Sequence, residues 1–256
     1  HSTDKTIYGI TAADATHVWA VEEEAILFSG GSDWSLQSNQ PDRFLLGVSA
    51  ADATHVWAVG SDKSGKTKTG YGKFAVILFY NGSEWSVQSQ LPPNEMEDTQ
   101  YDCVDALDVA HVWAVGTKGT ILFYNGSSWS QQSSGTDRNI TCVFALDANH
   151  VWAGGPLNTV LYYDGNAWKP IDVRPSDPGA PGYKIKSISG YDANHVWAVI
   201  EDGGILFHDG TKWERQHIGG NEEDDQRQRY DQAVEQHQVT GIAALAELPH
   251  QRSQHE

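Results

Sequence analysis

The sequence predicts an all-β protein assembled from five copies of one four-stranded unit, and three observations carry that prediction. The stretch DATHVWAV occurs at 14–21 and is repeated letter for letter at 52–59, and softer copies begin at 108, 147 and 192. A second motif, of the form ILFYNGSxW, follows each copy. The ten tryptophans all fall into two columns, one in each motif. Self-similarity at a fixed period is the signature of a repeat architecture.

Each repeat contains four short segments typical of β-strands. In the first repeat these are IYGITAA at 7–13, then HVWAV, AILFS and WSLQS, all bounded by turn residues. Asn-Gly or Asp-Gly precedes the fourth segment in most repeats and is a strong hairpin signal. Four antiparallel strands in about 40 residues, repeated in series, are typical of a β-propeller blade. We therefore predict a five-bladed β-propeller over residues 1–218, with repeats at about 7–38, 45–89, 101–133, 140–171 and 185–217.

Residues 219–256 depart from this pattern and form a polar, acidic tail. Within the tail, residues 239–245 read as a decayed copy of the first strand, with Gly241 at a position that is small in every repeat. A sixth blade, completed by this chain or by another molecule, is therefore the alternative to a five-bladed ring.

One column of the first strands holds only small residues: Gly9, Gly47, Cys103, Cys142 and Ser187. Innermost strands of a small propeller converge, so small side chains are expected there. The two cysteines are interpreted as small apolar residues. A disulfide between them is the alternative, disfavoured because neighbouring inner strands tend to lie too far apart.

Net charge, apolar run length and the motifs present disfavour several classes of partner and cofactor. A formal net charge of −17 disfavours a nucleic-acid partner or an anionic membrane surface. No apolar run approaches the ~20 residues of a membrane span, so no membrane insertion is expected. No phosphate loop, nucleophile elbow or dinucleotide fingerprint occurs, and no cofactor is expected. The chain begins at His1 rather than Met, and we expect a secreted or periplasmic protein.

The stretch VWAVGTKGTILFYNGSSW resembles bacterial-type propeller repeats related to the Asp-box and photosystem-assembly-factor groups. The resemblance covers residues 7–218. It departs from the Asp-box, which places Trp five residues after its Asp, because Asp164 and Trp168 are four apart. Those groups include lectins, glycosidases and assembly factors, so the resemblance implies a fold and leaves the function open.

Loop lengths distinguish the two ends of the blades. The first-to-second and third-to-fourth turns share one end, here named the constant face because these turns have the same size in all five repeats. The second-to-third turns and the inter-blade connections share the other end, the variable face. Every insertion falls there, at 60–75, 90–100 and 171–184. This difference indicates that the variable face binds a partner, although loops also drift in length where nothing constrains them.

Two of the insertions supply the candidate binding residues. The loop at 60–75 is rich in Gly, Ser and Lys and holds four of the ten lysines of an acidic chain. Such a loop suits an anionic partner, or is simply a solvated loop. The candidates are Lys63, Lys66, Lys68, Tyr71 and Lys73 in this loop, with Arg174 and Tyr183 in the loop at 171–184.

The five Asp-x-x-His turns invite a metal interpretation, which blade geometry disfavours. Equivalent residues of different blades lie far apart, whereas metal ligands must lie within ~2.3 Å of one point. We expect each Asp and His to brace its own turn by hydrogen bonds.

Glycoside hydrolysis requires two carboxylates at a set separation. Among the predicted first strands only the third repeat offers carboxylates, Asp102 and Asp105, which are weak catalytic candidates. The sequence therefore favours a non-enzymatic binding or assembly module that engages a protein or glycan through the variable face. A lectin with inter-blade pockets lined by the tryptophan columns is the alternative, and a glycosidase is a weaker one.

Overall fold

The computed structural model describes residues 5–63, 66–67, 70–71, 74–90, 99–173, 182–201 and 203–216, without the side chains of 66–67, 70–71 and 90. The chain divides into two compact units, His1–Gln216 and His217–Glu256. The second unit, including the strand-like segment 239–245, lies outside the described residues.

The first unit consists of five four-stranded antiparallel sheets, each formed by one repeat. In every sheet the four strands lie side by side in chain order. The strands of blades one and two are Ile7–Asp14, His17–Glu22, Ala25–Ser29 and Trp34–Asn39, then Arg43–Asp52, His55–Asp62, Phe74–Tyr80 and Trp85–Gln90. Those of blade three are Tyr101–Asp108, His111–Gly116, Ile121–Tyr124 and Trp129–Gln132. Those of blades four and five are Cys142–Asp147, His150–Gly154, Val160–Tyr163 and Trp168–Ile171, then Ile185–Asp192, His195–Ile200, Ile205–His208 and Trp213–Gln216.

The predicted all-β propeller with five blades is confirmed. Two small elements add to the blades: a two-stranded sheet of Lys66–Thr67 and Gly70–Tyr71, and a 3-10 turn at Thr117–Gly119. Within the described ranges, no helix has both the length and the apolar character that crossing a membrane requires.

The core lies between consecutive blades. Four apolar clusters join blades one and two, two and three, three and four, and four and five. Each is centred on the second-strand tryptophan of the earlier blade, which is at most 1% exposed in blades one to four. This indole packs on an aromatic ring at the end of the next blade's third strand, as Trp57 does on Tyr124 at 5.9 Å, and that ring packs on the next fourth-strand tryptophan. Aromatic residues thus supply much of the buried inter-blade area.

A glutamine in the fourth strand ties two blades together through these indoles. The side-chain oxygen of Gln88 accepts hydrogen bonds from Trp57 of its own blade and from Trp129 of the next, both at 2.8 Å. The side-chain oxygen of Gln37 likewise accepts hydrogen bonds from Trp19 of its own blade and from Trp85 of the next. One acceptor therefore satisfies two indole donors across an interface.

Blade four breaks this arrangement because Ile171 occupies the position of the glutamine. The Nε1 atoms of Trp152 and Trp213, which would share that acceptor, are buried without a partner. In blade three, Gln132 accepts from Trp168 at 2.7 Å, while Trp113 Nε1 also lacks a partner.

The innermost strands approach one another closely at the small column. A Cβ atom added to Gly47 would lie 3.3 Å from the Cα of Cys103 in the next blade. Cys103 and Cys142, the next two members of the column, are free thiols. Burial raises the pKa of both thiols, to about 11 for Cys103. They therefore pack as small, unreactive side chains.

Candidate functional site

The constant face is built from turns that satisfy their own polar groups. In blade one the Asp14 carboxylate accepts the Thr16 amide at 2.7 Å and contacts His17 Nδ1 at 2.9 Å. The Asp–His contact recurs in all five blades, at Asp14–His17, Asp52–His55, Asp108–His111, Asp147–His150 and Asp192–His195. The hydrogen bond from the Thr16 amide, followed by those from the Thr16 hydroxyl and His17, lowers the pKa of Asp14 to about 2. Each turn is braced locally, as the sequence predicts, and each His is committed to its own Asp.

The third-to-fourth turns also lie on this face, and each of them closes a hairpin between the third and fourth strands, as the Asn-Gly and Asp-Gly signals predict. Only the glycine adopts the left-handed conformation, for example Gly82 with a φ of 90°. The Asn81 side chain instead accepts the amides of Ser83 and Glu84, both at 3.0 Å. The turn therefore contains two further residues before Trp85, and the Asn side chain takes over backbone hydrogen bonding as in an Asx-turn.

The variable face differs in its backbone conformations. Four non-glycine residues in the described part of the chain have a positive φ, and all four lie on this face: Asp42, Lys118, Leu157 and Asn158. On the constant face, positive φ values belong to glycines alone. A left-handed conformation costs a residue with a Cβ roughly 1–2 kcal/mol, and such strain concentrates at functional sites. Lys118 and Leu157 are the informative cases, because Asn and Asp tolerate this conformation more readily.

Hydrogen bonds interlock the variable-face loops of blades three and four. The Lys118 amide donates to Asn139 Oδ1 in the following connection, at 3.1 Å. Arg138, in the same connection, donates to the carbonyl of Leu157 at 3.1 Å. The Asn158 side chain accepts the Tyr183 amide, at 2.6 Å. Four loops are thereby linked in series, and Lys118, Arg138 and Leu157 are all exposed on them. We name Lys118, Arg138, Leu157 and Asn158 the loop patch.

Two of the residues predicted to bind a partner, Lys63 and Tyr183, have described side chains, and they lie at different inter-blade interfaces. Lys63 forms a 2.7 Å ion pair with Glu23 of blade one and lies 5.1 Å from the Phe44 ring centre, so it is held between two blades. Tyr183 is partly buried against the core cluster of blades four and five.

The remaining predicted binding residues are only partly covered or not covered by the structure. The backbones of Lys66 and Tyr71 pair with each other in the two-stranded sheet. Their side chains, and Lys68, Lys73 and Arg174 entirely, lie outside the described residues. Of the predicted loops, residues 91–98 and 174–181 are also outside them.

The two carboxylates considered for catalysis sit in the innermost strand of blade three. Asp105 Oδ2 accepts the amide of Ala145 in blade four at 2.7 Å, and Asp105 Oδ1 lies 3.5 Å from the hydroxyl of Ser49 in blade two. Burial raises the pKa of Asp105 to about 6, against the opposing effect of these hydrogen bonds. Asp102 accepts from Gln100 at 2.7 Å, and burial raises its pKa as well. Asp105 therefore joins three consecutive blades.

Most rings of the two tryptophan columns lie in the interfaces between blades, whereas Trp34 and Trp197 are 38% and 40% exposed. The first-column rings of blades one to four are buried, and the second-column Trp85, Trp129 and Trp168 spend their indole N–H on Gln acceptors. Among the described residues, no group of three or more His, Cys, Asp or Glu side chains could hold a metal ion.

Comparison with solved structures places the chain among β-propellers. A structure of YCF48 bound to a D1 peptide matches with a TM-score of 0.57 and 18% identity, over 84% of this chain and 69% of that one. The WD40 β-propeller domain of Doa1 matches with a TM-score of 0.58 and 13% identity, over 82% and 67%. YCF48 from Cyanidioschyzon merolae matches with a TM-score of 0.51 and 17% identity, over 86% and 89%. No protein-family model and no curated protein matches the chain. At these identities the likeness shows the fold alone.

The sequence did not single out the loop patch. Lys118 and Leu157 lie in short turns of ordinary length, and neither residue type signals a left-handed backbone. The one sequence signal for these turns is that they differ between otherwise similar repeats. The turn after the second strand reads EE, TKGT and PLNT in blades one, three and four.

Proposed function

We propose that this protein is a non-enzymatic binding module that holds an extended segment of a partner protein on its variable face, with the loop patch at the centre. The observation that carries the proposal is the restriction of left-handed non-glycine residues to that face. Backbone strain of this kind is maintained only where the surrounding structure overdetermines it. The interlocked loops provide that surrounding structure.

The chemistry of the loop patch indicates the class of segment. Lys118 and Arg138 present two cations in a protein of net charge −17, and Leu157, at 60% exposure, presents an apolar side chain beside them. Such a surface suits a segment with carboxylates next to an apolar residue. The lysines of the 60–75 insertion are predicted to lie on the same face, where they would carry the same preference for an anionic partner.

The structural neighbours support a binding role of this kind. One of them, YCF48, was solved with a D1 peptide bound, so a propeller of similar fold can hold a polypeptide segment. A secreted or periplasmic location for this chain stays a prediction.

A synthetic peptide array that varies the number of acidic and apolar side chains tests the proposal. We expect the full chain to bind acidic peptides that carry an apolar residue. The Lys118→Glu/Arg138→Glu variant should weaken the best peptide at least about tenfold, equivalent to about 1.4 kcal/mol. The charge-matched control, Lys169→Glu/Lys212→Glu near the constant face, should leave the affinity within about twofold. An equal loss in both variants, or no peptide bound at all, would contradict the proposal.

A second variant separates binding from stability. Leu157→Gly removes the apolar side chain and relieves the left-handed strain, because glycine adopts a positive φ without penalty. We expect the variant to unfold at higher urea concentration than the parent while binding the selected peptide more weakly. Unchanged peptide affinity would remove Leu157 from the proposed surface.

A further inference from the structure

The two end blades carry apolar faces whose counterparts are covered everywhere else in the propeller. Among the described residues, no core cluster joins blade five to blade one. On blade five, Trp197 is 40% and Val199 45% exposed, whereas their counterparts in blade two, Trp57 and Val59, are fully buried. We name the side of blade five that presents Trp197 and Val199 the blade-five face. It lacks the neighbour that covers the same tryptophan in blades one to four.

Blade one is uncovered on the side where every later blade contacts the blade before it. Ile7 is 45%, Ile10 65% and Trp34 38% exposed. Leu45 and Val48, which occupy the positions of Ile7 and Ile10 in blade two, are at most 8% exposed. We name the side that presents Ile7, Ile10 and Trp34 the blade-one face. The propeller therefore ends in two different uncovered faces.

The apolar residues of the two faces match the two sides of an interface between consecutive blades. In all four such interfaces, the innermost strand of the later blade packs against the first and second strands of the blade before it. Two residues of that strand, spaced three apart, share a core cluster with the second-strand tryptophan of the earlier blade. These pairs are Leu45 and Val48, Tyr101 and Val104, Ile140 and Val143, and Ile185 and Ile188. Ile7 and Ile10 have the same spacing and apolar character, so the blade-one face presents the pair that Trp197 lacks.

A hydrogen bond between innermost strands has both of its groups on the two faces. The Ser49 hydroxyl of blade two accepts the amide of Ala106 in blade three at 3.0 Å. The equivalent bond joins blades one and two at 3.1 Å. Blade five has the exposed Ser189 at the position of the acceptor, and blade one has the exposed Ala12 at the position of the donor. The two faces therefore complement each other in this backbone contact as well.

The shared glutamine gives a third match. Within the propeller, the fourth-strand tryptophan of a later blade donates its indole N–H to the glutamine of the blade before it, as Trp85 does to Gln37 at 2.8 Å. Blade five has Gln216 at the glutamine position, and blade one has Trp34 at the tryptophan position. Both side chains are exposed. An acceptor on one end of the propeller thus corresponds to a donor on the other.

We propose that the blade-five face of one copy binds the blade-one face of a second copy of this chain, with the contacts that join consecutive blades within one copy. Ile7 and Ile10 of the second copy cover Trp197 of the first. The two faces of a single copy are both exposed and share no core cluster, so each finds its complement on another copy. Two different surfaces meet, and the contact is therefore heterologous, running head to tail from copy to copy.

One component of the internal interfaces is absent from the blade-one face. In blades two to five an aromatic ring ends the third strand and packs on the preceding tryptophan, as Tyr80 does on Trp19. Blade one has Ser29 at this position. The contact between copies is therefore weaker than the interfaces within one copy, and the net charge of −17 on each copy opposes it. Association should accordingly depend on protein concentration and strengthen with added salt, which screens the repulsion.

Sedimentation equilibrium of the full chain over a range of concentrations tests the proposal. We expect the average mass to rise above the 28.1 kDa of one copy as concentration increases. Ile10→Asp, which blocks the blade-one face, and Trp197→Asp, which blocks the blade-five face, should each weaken self-association at least about tenfold, equivalent to about 1.4 kcal/mol. The matched controls Val87→Asp and Val109→Asp replace residues of similar exposure away from both faces and should associate as the parent does.

A mixture of the two blocked variants provides the decisive measurement. The Ile10→Asp variant retains an intact blade-five face, and the Trp197→Asp variant retains an intact blade-one face. An equimolar mixture should therefore form dimers that contain one copy of each variant. No larger assembly should form, because the remaining face of each copy is blocked. Recovery of association in the mixture also shows that each variant is folded at its intact face.

Three other outcomes each overturn the proposal. A parent that stays monomeric at every concentration would mean that no second copy covers these faces, whether they meet within one chain, are covered by another part of it or stay open. Undiminished self-association of Ile10→Asp would indicate that two blade-five faces bind each other, and that of Trp197→Asp would indicate the same for two blade-one faces. A mixture of the two blocked variants that stays monomeric would show that the two faces do not fit each other.

Discussion

The interface between blades two and three and the uncovered face of blade five contain the same residues in different surroundings. Trp57 is fully buried and its indole donates to Gln88, whereas Trp197, at the same place in the repeat, is 40% exposed. Both follow the same His-Val pair, and both pack at a tilt on a phenylalanine of their own third strand. Each repeat therefore supplies the same tryptophan surface, and whether this surface is buried depends on the blade that packs against it.

The largest expected effect is on the tryptophan itself. Trp57→Ala leaves a cavity between blades two and three and should lower the free energy of unfolding by about 3–5 kcal/mol. Trp197→Ala should lower the free energy of unfolding by less than half as much, because this side chain is 40% exposed. Urea denaturation of the two variants measures both changes. Equal losses would mean that the two positions are equally enclosed and would abolish the comparison.

The buried carboxyl group of Asp105, which joins blades two, three and four, should make the stability of the protein depend on pH. Burial raises the pKa of Asp105 to about 6, well above its value in the unfolded chain. The folded state therefore binds the proton more tightly, and stability falls as pH rises from about 4 to above 6, by at most about 3 kcal/mol. Asp105→Asn should remove this decline, so its stability relative to the parent should improve across that range. Parallel pH profiles for variant and parent would contradict this assignment. Blade five has the uncharged Ser189 at the same position, so it contributes no such slope.

The glutamine acceptors give the next effect. Gln88→Leu leaves the indole N–H groups of Trp57 and Trp129 without an acceptor and should cost about 1–3 kcal/mol. Gln216→Leu, at the exposed edge of blade five, should change stability by less than about 0.5 kcal/mol. Thermal and urea unfolding of this matched pair would reveal any hidden partner of Gln216 as an unexpectedly large loss.

The reverse substitution can be made in blade four. Ile171→Gln offers an acceptor to Trp152 and Trp213 and should stabilise the protein by about 1 kcal/mol. A loss of stability would mean that the apolar contacts of Ile171 outweigh two indole hydrogen bonds.

The smallest difference is expected where the neighbour plays no part. Asp52→Ala and Asp192→Ala each remove the carboxylate that braces the first turn, in blade two and in blade five. Because these hydrogen bonds form within one turn, the two variants should lose the same amount of stability at pH 7. Hydrogen bonds hold the pKa of both carboxylates below its usual value, so this loss should vanish as pH falls towards 2. Unequal losses would show that the turns respond to the uncovered face.

The repeat columns predicted the strands, the number of blades and the braced Asp turns, because the residues that form these features recur in five copies of the motif. They did not predict the left-handed Lys118 and Leu157, since conformation in a turn that occurs once follows from local closure and not from residue type. The interlocking bonds of Asn139 and Asn158 likewise connect loops with no equivalent in other blades. Asp105 is a weak catalytic candidate by its carboxylate alone, but its column holds polar residues in four of the five blades, with Phe144 as the exception, and Thr11 and Ser49 in that column accept amides from the next inner strand. Its role could have been read from that column.

The shared glutamine has a consequence for how such a protein can grow. The side-chain oxygen of Gln88 accepts an indole N–H from the fourth-strand tryptophan of the next blade. A duplicate of blade two inserted directly after blade two would present such a tryptophan, Trp85, to this acceptor. The same insertion after blade four would find no such acceptor, since Ile171 offers an indole nothing to bind. Blades one and two are thus modular in the engineering sense, and blade four is the place where lengthening the array would require a compensating substitution.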